Sequence, residues 1–138
     1  MSAGHHFAVQ YARGGLPPCV RRRVHDYIAV HFDQKITNDA LAEVAGLSTA
    51  HFCTAFTQTE GVSPHRYVVQ YRVRQTQQLL TSTEMSVAEI ADAVGFSNPS
   101  HCVRYFREIV GVTPSDYRRR CLQGRDHSGG AVKTAQLS

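Results

Sequence analysis

Ile90-Ala91-Asp92-Ala93-Val94-Gly95-Phe96-Ser97 stands 49 residues beyond Leu41-Ala42-Glu43-Val44-Ala45-Gly46-Leu47-Ser48, and the two octets share one pattern position by position. Each is a short helical run with one acidic residue, closed by a glycine that suits the left-handed end of a helix. Past the glycines the offset becomes 50: His51 matches His101, Phe56 matches Phe106, and Tyr67 matches Tyr117. Gly61-Val62-Ser63-Pro64 likewise matches Gly111-Val112-Thr113-Pro114. The extra residue falls near Asn98, in a turn that can absorb it. Two blocks in a common register make an internal repeat.

Each repeat divides into helices by its own end signals. Thr37 or Asn38 can cap a helix running to about Ala45, and Ser86-Val87-Ala88-Glu89 has the form of a capping box. Ser48 and Asn98 can cap the helices that follow, with Pro99 suited to a first helical position. Those helices run to about Glu60 and Val110. A short helix, a glycine turn and a longer helix make a helix-turn-helix unit. Outside the repeats, Val20, Val24, Tyr27, Ile28 and His31 recur at helical spacing and define a buried face, while Arg21, Arg22 and Arg23 should turn most of their charge to water. Ser63-Pro64 opens a long helix ending near Thr81, and Thr113-Pro114 opens a last short one holding Tyr117.

The expected fold is therefore all-α and homeodomain-like, with seven helices and two tandem helix-turn-helix subdomains joined by a long helix. The expected boundaries are a flexible start at 1–15, a first subdomain at 16–62, the connecting helix at 63–82, a second subdomain at 83–122 and a flexible tail at 123–138.

Composition narrows the function. At 138 residues and 42% apolar content the chain can bury one ordinary core or two small ones. No apolar run approaches the roughly 18 residues of a membrane span, and the first ten residues do not read as a signal peptide, so a cytoplasmic protein with no membrane partner is expected. The net charge is only +4, but Lys35 and Lys133 are the sole lysines among 15 basic residues. Arginine's planar fork suits phosphates and guanine edges. Cys19, Cys53, Cys102 and Cys121 lie too far apart for a zinc knuckle, and the histidines form no paired ligand motif, so neither metal nor cofactor is expected. An enzyme using Cys53 or Cys121 as nucleophile would need an activating base that the sequence does not offer.

At 100° per residue, the contact faces follow from the buried ones. Phe52 and Phe56 mark the inside of the first recognition helix, which leaves Ala50, Thr54 and Thr57 outside, flanked by Thr49 and Cys53. Cys102 and Phe106 mark the inside of the second, which leaves Ser100, Arg104 and Arg107 outside, flanked by His101 and Val103. Arg104 is placed to reach guanine O6 and N7 together, a contact worth roughly 1–3 kcal/mol of discrimination, or else to pair with Glu108 one turn on. Phosphate contacts are expected from Ser48, Ser86 and Asn98 at helix starts, and from Thr57, Arg72, Arg74 and Arg107. The first unit offers only small groups, so the sharper base readout is expected from the second.

With those residues in place, the chain resembles the AraC/XylS family of bacterial transcription regulators over roughly Leu16 to Arg120. The most specific part is Ser86-Val87-Ala88-Glu89-Ile90-Ala91, then Gly95-Phe96-Ser97-Asn98-Pro99-Ser100-His101, Arg104-Tyr105-Phe106-Arg107 and Gly111-Val112-Thr113-Pro114-Ser115-Asp116-Tyr117-Arg118-Arg119. The resemblance implies control of transcription by two recognition helices set in adjacent major-groove segments of double-stranded DNA, with RNA polymerase as a partner. It implies base contacts from Thr49, Ala50, Cys53 and Thr54, and from Pro99, Ser100, His101 and Arg104, where Pro99 can give only a shape contact. Cys102 departs from the aromatic or leucine usual at its position. The sensing domain common in that family has no room here, so no small-molecule effector is expected within this chain. A helical adaptor that binds protein is the competing reading; it would tolerate Arg104→Ala.

Overall fold

A computed structural model describes residues 15–126, and among them there are seven helices and no strand. They are α1 (Pro18–His31), α2 (Asn38–Ala45), α3 (Thr49–Glu60), α4 (Pro64–Ser82), α5 (Val87–Val94), α6 (Pro99–Val110) and α7 (Pro114–Asp126). The chain divides into two compact units, Met1–Gln70 and Tyr71–Ser138.

In the first unit α2 packs on both α1 and α3. Val20, Val24 and Ile28 of α1, Leu41, Ala42 and Ala45 of α2, and Phe52, Ala55 and Phe56 of α3 make its core. Thr37, not Asn38, caps α2: its hydroxyl accepts from the Ala40 N–H at 3.0 Å. Gly46 closes α2 at φ +75°, a conformation that L side chains rarely adopt, and so sets the turn into α3. In the second unit Ile90, Ala91, Val94, Phe96, Cys102 and Phe106 are buried, and Gly95 makes the same turn at φ +97°.

The long helix expected at 63–82 runs over Pro64–Ser82, and the division between the two units falls inside it, between Gln70 and Tyr71. Before it, Tyr67 packs on Phe56 and His25; after it, Thr76 hydrogen-bonds Cys102 and the Arg72 guanidinium lies over the Phe96 ring. Gly15 belongs to the fold and not to a flexible start, since a Cβ there would sit 2.3 Å from Thr59 Oγ1 and the Leu16 N–H donates to that oxygen at 2.7 Å. The last helix is not short: α7 runs on to Asp126, so 123–126 leave the expected tail. The remainder of the two segments expected to be flexible, 1–14 and 127–138, lies outside the described residues.

Candidate nucleic-acid interface

The recognition helices start and stop by the same devices. Ser48 Oγ accepts from the His51 N–H at 3.2 Å, and Asn98 Oδ1 accepts from the His101 N–H at 2.9 Å. Gly61 and Gly111 close the two helices in the left-handed region. Phe52 and Phe56 are fully buried on α3, as are Cys102 and Phe106 on α6. The opposite faces come out as expected: Ala50, Thr54 and Thr57 are exposed on α3, and Pro99, Ser100, Val103, Arg104 and Arg107 on α6. Thr49, Cys53 and His101 are half-buried at the edges of those faces.

The two faces differ in chemistry. On α3 the Thr49 hydroxyl donates to Asp39 Oδ1 at 2.6 Å, and the Thr57 hydroxyl donates to the Cys53 carbonyl at 2.8 Å. Their hydrogens are committed, so what they offer a groove is chiefly a methyl group each. On α6, Pro99, Ser100, Val103, Arg104, Arg107 and Glu108 line a shallow cleft of about 630 Å3. The Arg104 guanidinium rests over the Tyr105 ring at 4.8 Å, which extends it along the helix surface. His101 meets the same ring edge-on at 6.4 Å.

The helix start at Ser86 is already filled. Its N–H donates to Glu89 Oε1 at 2.8 Å, and its Oγ accepts from the Glu89 N–H at 3.1 Å. Hydrogen bonds to the carboxylate, first from the Ser86 N–H and then from the Ser86 side chain, hold the Glu89 carboxyl below its ordinary range. A phosphate approaching Ser86 would meet a carboxylate, unlike one approaching Ser48 or Asn98. Among the arginines, Arg74 lies over the Tyr71 ring at 5.3 Å and Arg107 is exposed.

Two clusters escaped sequence reasoning. Arg21 does not simply face water: its Nε donates to Glu60 Oε2 at 2.8 Å, and His25 Nε2 lies 2.7 Å from the same oxygen. The Glu60 side chain is only 7% exposed, and its hydrogen bond raises the already high pKa of Arg21. The contact ties α1 to the end of the recognition helix across 39 residues, a separation at which no local pattern gives a sign. Arg118 donates from Nε to the Leu80 carbonyl at 2.9 Å and from Nη2 to the Thr83 carbonyl at 3.1 Å. Here a signal existed: α4 ends in Thr-Ser-Thr-Glu with no glycine, and the Ser82 and Thr83 hydroxyls reach back only to the Gln78 and Leu79 carbonyls, leaving Leu80 to another donor.

The cysteines divide as the helical faces require, with Cys53 half-buried and Cys102 buried. Burial pushes the Cys102 thiol up, partly offset by its hydrogen bond with Thr76. Cys121 hydrogen-bonds Tyr117, whose phenol is held above its ordinary range chiefly by burial and then by Cys121. A phenol in that state stays protonated at neutral pH and cannot serve as a base for the thiol. Among the described residues no group of three His, Cys, Asp or Glu could hold a metal ion, and no helix is long and apolar enough to cross a membrane.

A family profile described as a helix-turn-helix domain matches residues 41–120, from within α2 into α7. The chain belongs to the AraC/XylS family. Among AraC/XylS-type and other helix-turn-helix relatives, it is 38% identical over 94 residues to the uncharacterized HTH-type transcriptional regulator YdiP of Escherichia coli, covering 68% of this chain and 31% of YdiP. It is 32% identical over 108 residues to the MmsAB operon regulatory protein of Pseudomonas aeruginosa, covering 78% of this chain and 34% of that protein. The chain thus spans about a third of the length of these curated relatives. Among solved structures, the DNA-binding domain of AdpA in complex with a target DNA superposes with a TM-score of 0.72 at 28% identity, over 76% of this chain and 95% of that one. The C-terminal domain of AraT, a response regulator from Geobacillus stearothermophilus, gives 0.69 at 33%, over 75% and 86%. The all-helical fold of the described residues is thus that of AraC-type DNA-binding domains.

Proposed function

We propose that this chain is a sequence-specific reader of double-stranded DNA that regulates transcription, each recognition helix entering one of two adjacent major-groove segments. The observation that carries the reading is the repeated design of α3 and α6. Each is capped at its start, held inside by fully buried residues, and free on the opposite face. The likeness to a DNA-binding domain solved on its target DNA supports it. Base contacts come from Thr49, Ala50, Cys53 and Thr54 on α3, and from Pro99, Ser100, His101 and Arg104 on α6. Phosphates are met by Ser48, Asn98, Arg72, Arg74 and Arg107, with Thr57 and Ser86 the weakest, because the Cys53 carbonyl holds the Thr57 hydroxyl hydrogen and Glu89 occupies the Ser86 N–H. Affinity then falls steeply with salt as counterions are released.

As a regulator of this kind it is not an enzyme, acts in the cytoplasm beside RNA polymerase, and takes no small-molecule effector within this chain. Selection of bound duplexes from a random pool tests the reading, repeated with Arg104→Ala. The expected result is one preferred sequence whose information drops at a single base pair in the variant. Binding that ignores base order at low and moderate salt alike would overturn it, as would a protein partner that binds Arg104→Ala equally well.

A further inference from the structure

We infer that Val103, with Pro99 one turn before it, reads the C5 methyl group of a pyrimidine, beside the base pair that Arg104 reads. The inference rests on the DNA-reading function proposed above. Three large apolar side chains stand exposed among the described residues, namely Val30, Val103 and Leu122, and only Val103 lies on a recognition helix. It is 36% exposed, although its neighbour Cys102 is fully buried, so it is not a core residue. Pro99, four residues earlier, is exposed on the same ridge, and both line the cleft that Arg104 and Arg107 flank.

The major groove of B-DNA presents donors, acceptors and one apolar group, the methyl on C5 of thymine. A methylated cytosine carries the same group at the same place. An apolar ridge with two cations at its side fits that surface: the arginines are drawn to guanine edges and phosphates, and the ridge is left for the methyl. Valine's branched side chain is stiff in a helix, and proline's ring is rigid, so little rotamer freedom is lost on contact. At the matching positions of the first unit stand Thr49, bonded to Asp39, and half-buried Cys53, which form no such ridge.

The test uses the full chain and a duplex obtained by selection. Each thymine of the half-site read by α6 is replaced in turn by deoxyuridine, which pairs identically but lacks the methyl, and each cytosine by 5-methylcytosine. One position next to the base pair read by Arg104 should respond. There deoxyuridine weakens binding about fourfold, or 5-methylcytosine strengthens it about fourfold, the value of burying one methyl group. The first result names thymine as the source of the methyl, the second a methylated cytosine. Val103→Ala should cut that response below about twofold, while Val103→Ile keeps it. Because the site is exposed and alanine favours helix, Val103→Ala should melt as the parent does. A flat methyl scan overturns the inference, and so does a response undiminished in Val103→Ala. If base preference persists through either failure, DNA reading stands and only the role of Val103 is lost; if base preference is absent altogether, both fall.

Discussion

In the first unit the rings of Phe56 and Tyr67 meet edge-on with centres 5.5 Å apart, and in the second Phe106 and Tyr117 do the same at 5.5 Å. Around that shared joint the two units diverge. Fully buried Phe52 becomes Cys102, and Glu60, clasped by Arg21 and His25, becomes half-buried Val110. Thr37 with Ala40 becomes Ser86 with Glu89, and exposed Thr54 becomes Arg104. What is repeated is what sets the recognition helix at its angle: the glycine turn, the cap, and the aromatic joint beneath. What varies is how the core is filled and what the outer face offers. At one buried place the first unit has a ring and the second a thiol, and at one exposed place the first has a hydroxyl and the second a guanidinium.

The largest effect should come from the matched pair beneath the recognition helices. Phe52→Ala removes a whole buried ring and should cost about 3–5 kcal/mol. Cys102→Ala, at the corresponding place, removes one sulfur and should cost about 1 kcal/mol. Urea denaturation followed by circular dichroism measures both. Equal costs would mean that the second core is closed as tightly as the first, and would break the comparison on its packing side.

Local physics explains which of these features were legible in the sequence. Gly46 and Gly95 announced helix ends, and Ser48, Ser86 and Asn98 announced starts, because a cap satisfies backbone donors within three residues. Spacing alone put Phe52, Phe56, Cys102 and Phe106 inside and Thr54 and Arg104 outside. The unread contacts all cross long stretches of chain. The grip of Arg21 on Glu60 and that of Arg118 on the Leu80 and Thr83 carbonyls depend on how helices pack, and an exposed arginine looks the same in sequence as a bonded one. The division inside α4 was equally hidden. Its periodicity is unbroken across Gln70 and Tyr71, and only the partners change, from Phe56 to Cys102.

The next effect concerns the outer faces. Arg104→Ala should remove about 1–3 kcal/mol of discrimination at one base pair. Thr54→Ala, its counterpart on α3, should remove under about 1 kcal/mol, since a threonine has no bidentate fork to lose. Titration of each variant against the selected duplex and its single-base variants gives both numbers. Similar losses would mean that the first unit reads bases through Thr54 as sharply as the second does through Arg104.

The smallest effect separates the caps, and it depends on pH. In the second unit the Glu89 carboxylate closes the start of α5 and is held below its ordinary 4.5 by its bonds to Ser86; in the first, Ala40 stands at that position. A carboxyl whose folded pKa is depressed stabilises the fold fully above its unfolded value, and that contribution disappears as pH falls through the lowered folded value. Glutamine can also complete a capping box, so comparing the parent with Glu89→Gln isolates the charge. The difference in Tm should be constant from pH 7 to about 5, shrink below 4.5 and vanish in stronger acid, whereas Ala40→Gln should show no such dependence. The same charge lies where a phosphate would approach Ser86, so Glu89→Gln should bind duplex slightly more tightly at low salt even as its Tm falls. If Tm and affinity fell together, Ser86 would not be near the backbone of the DNA, and the helix start of α5 would serve folding alone.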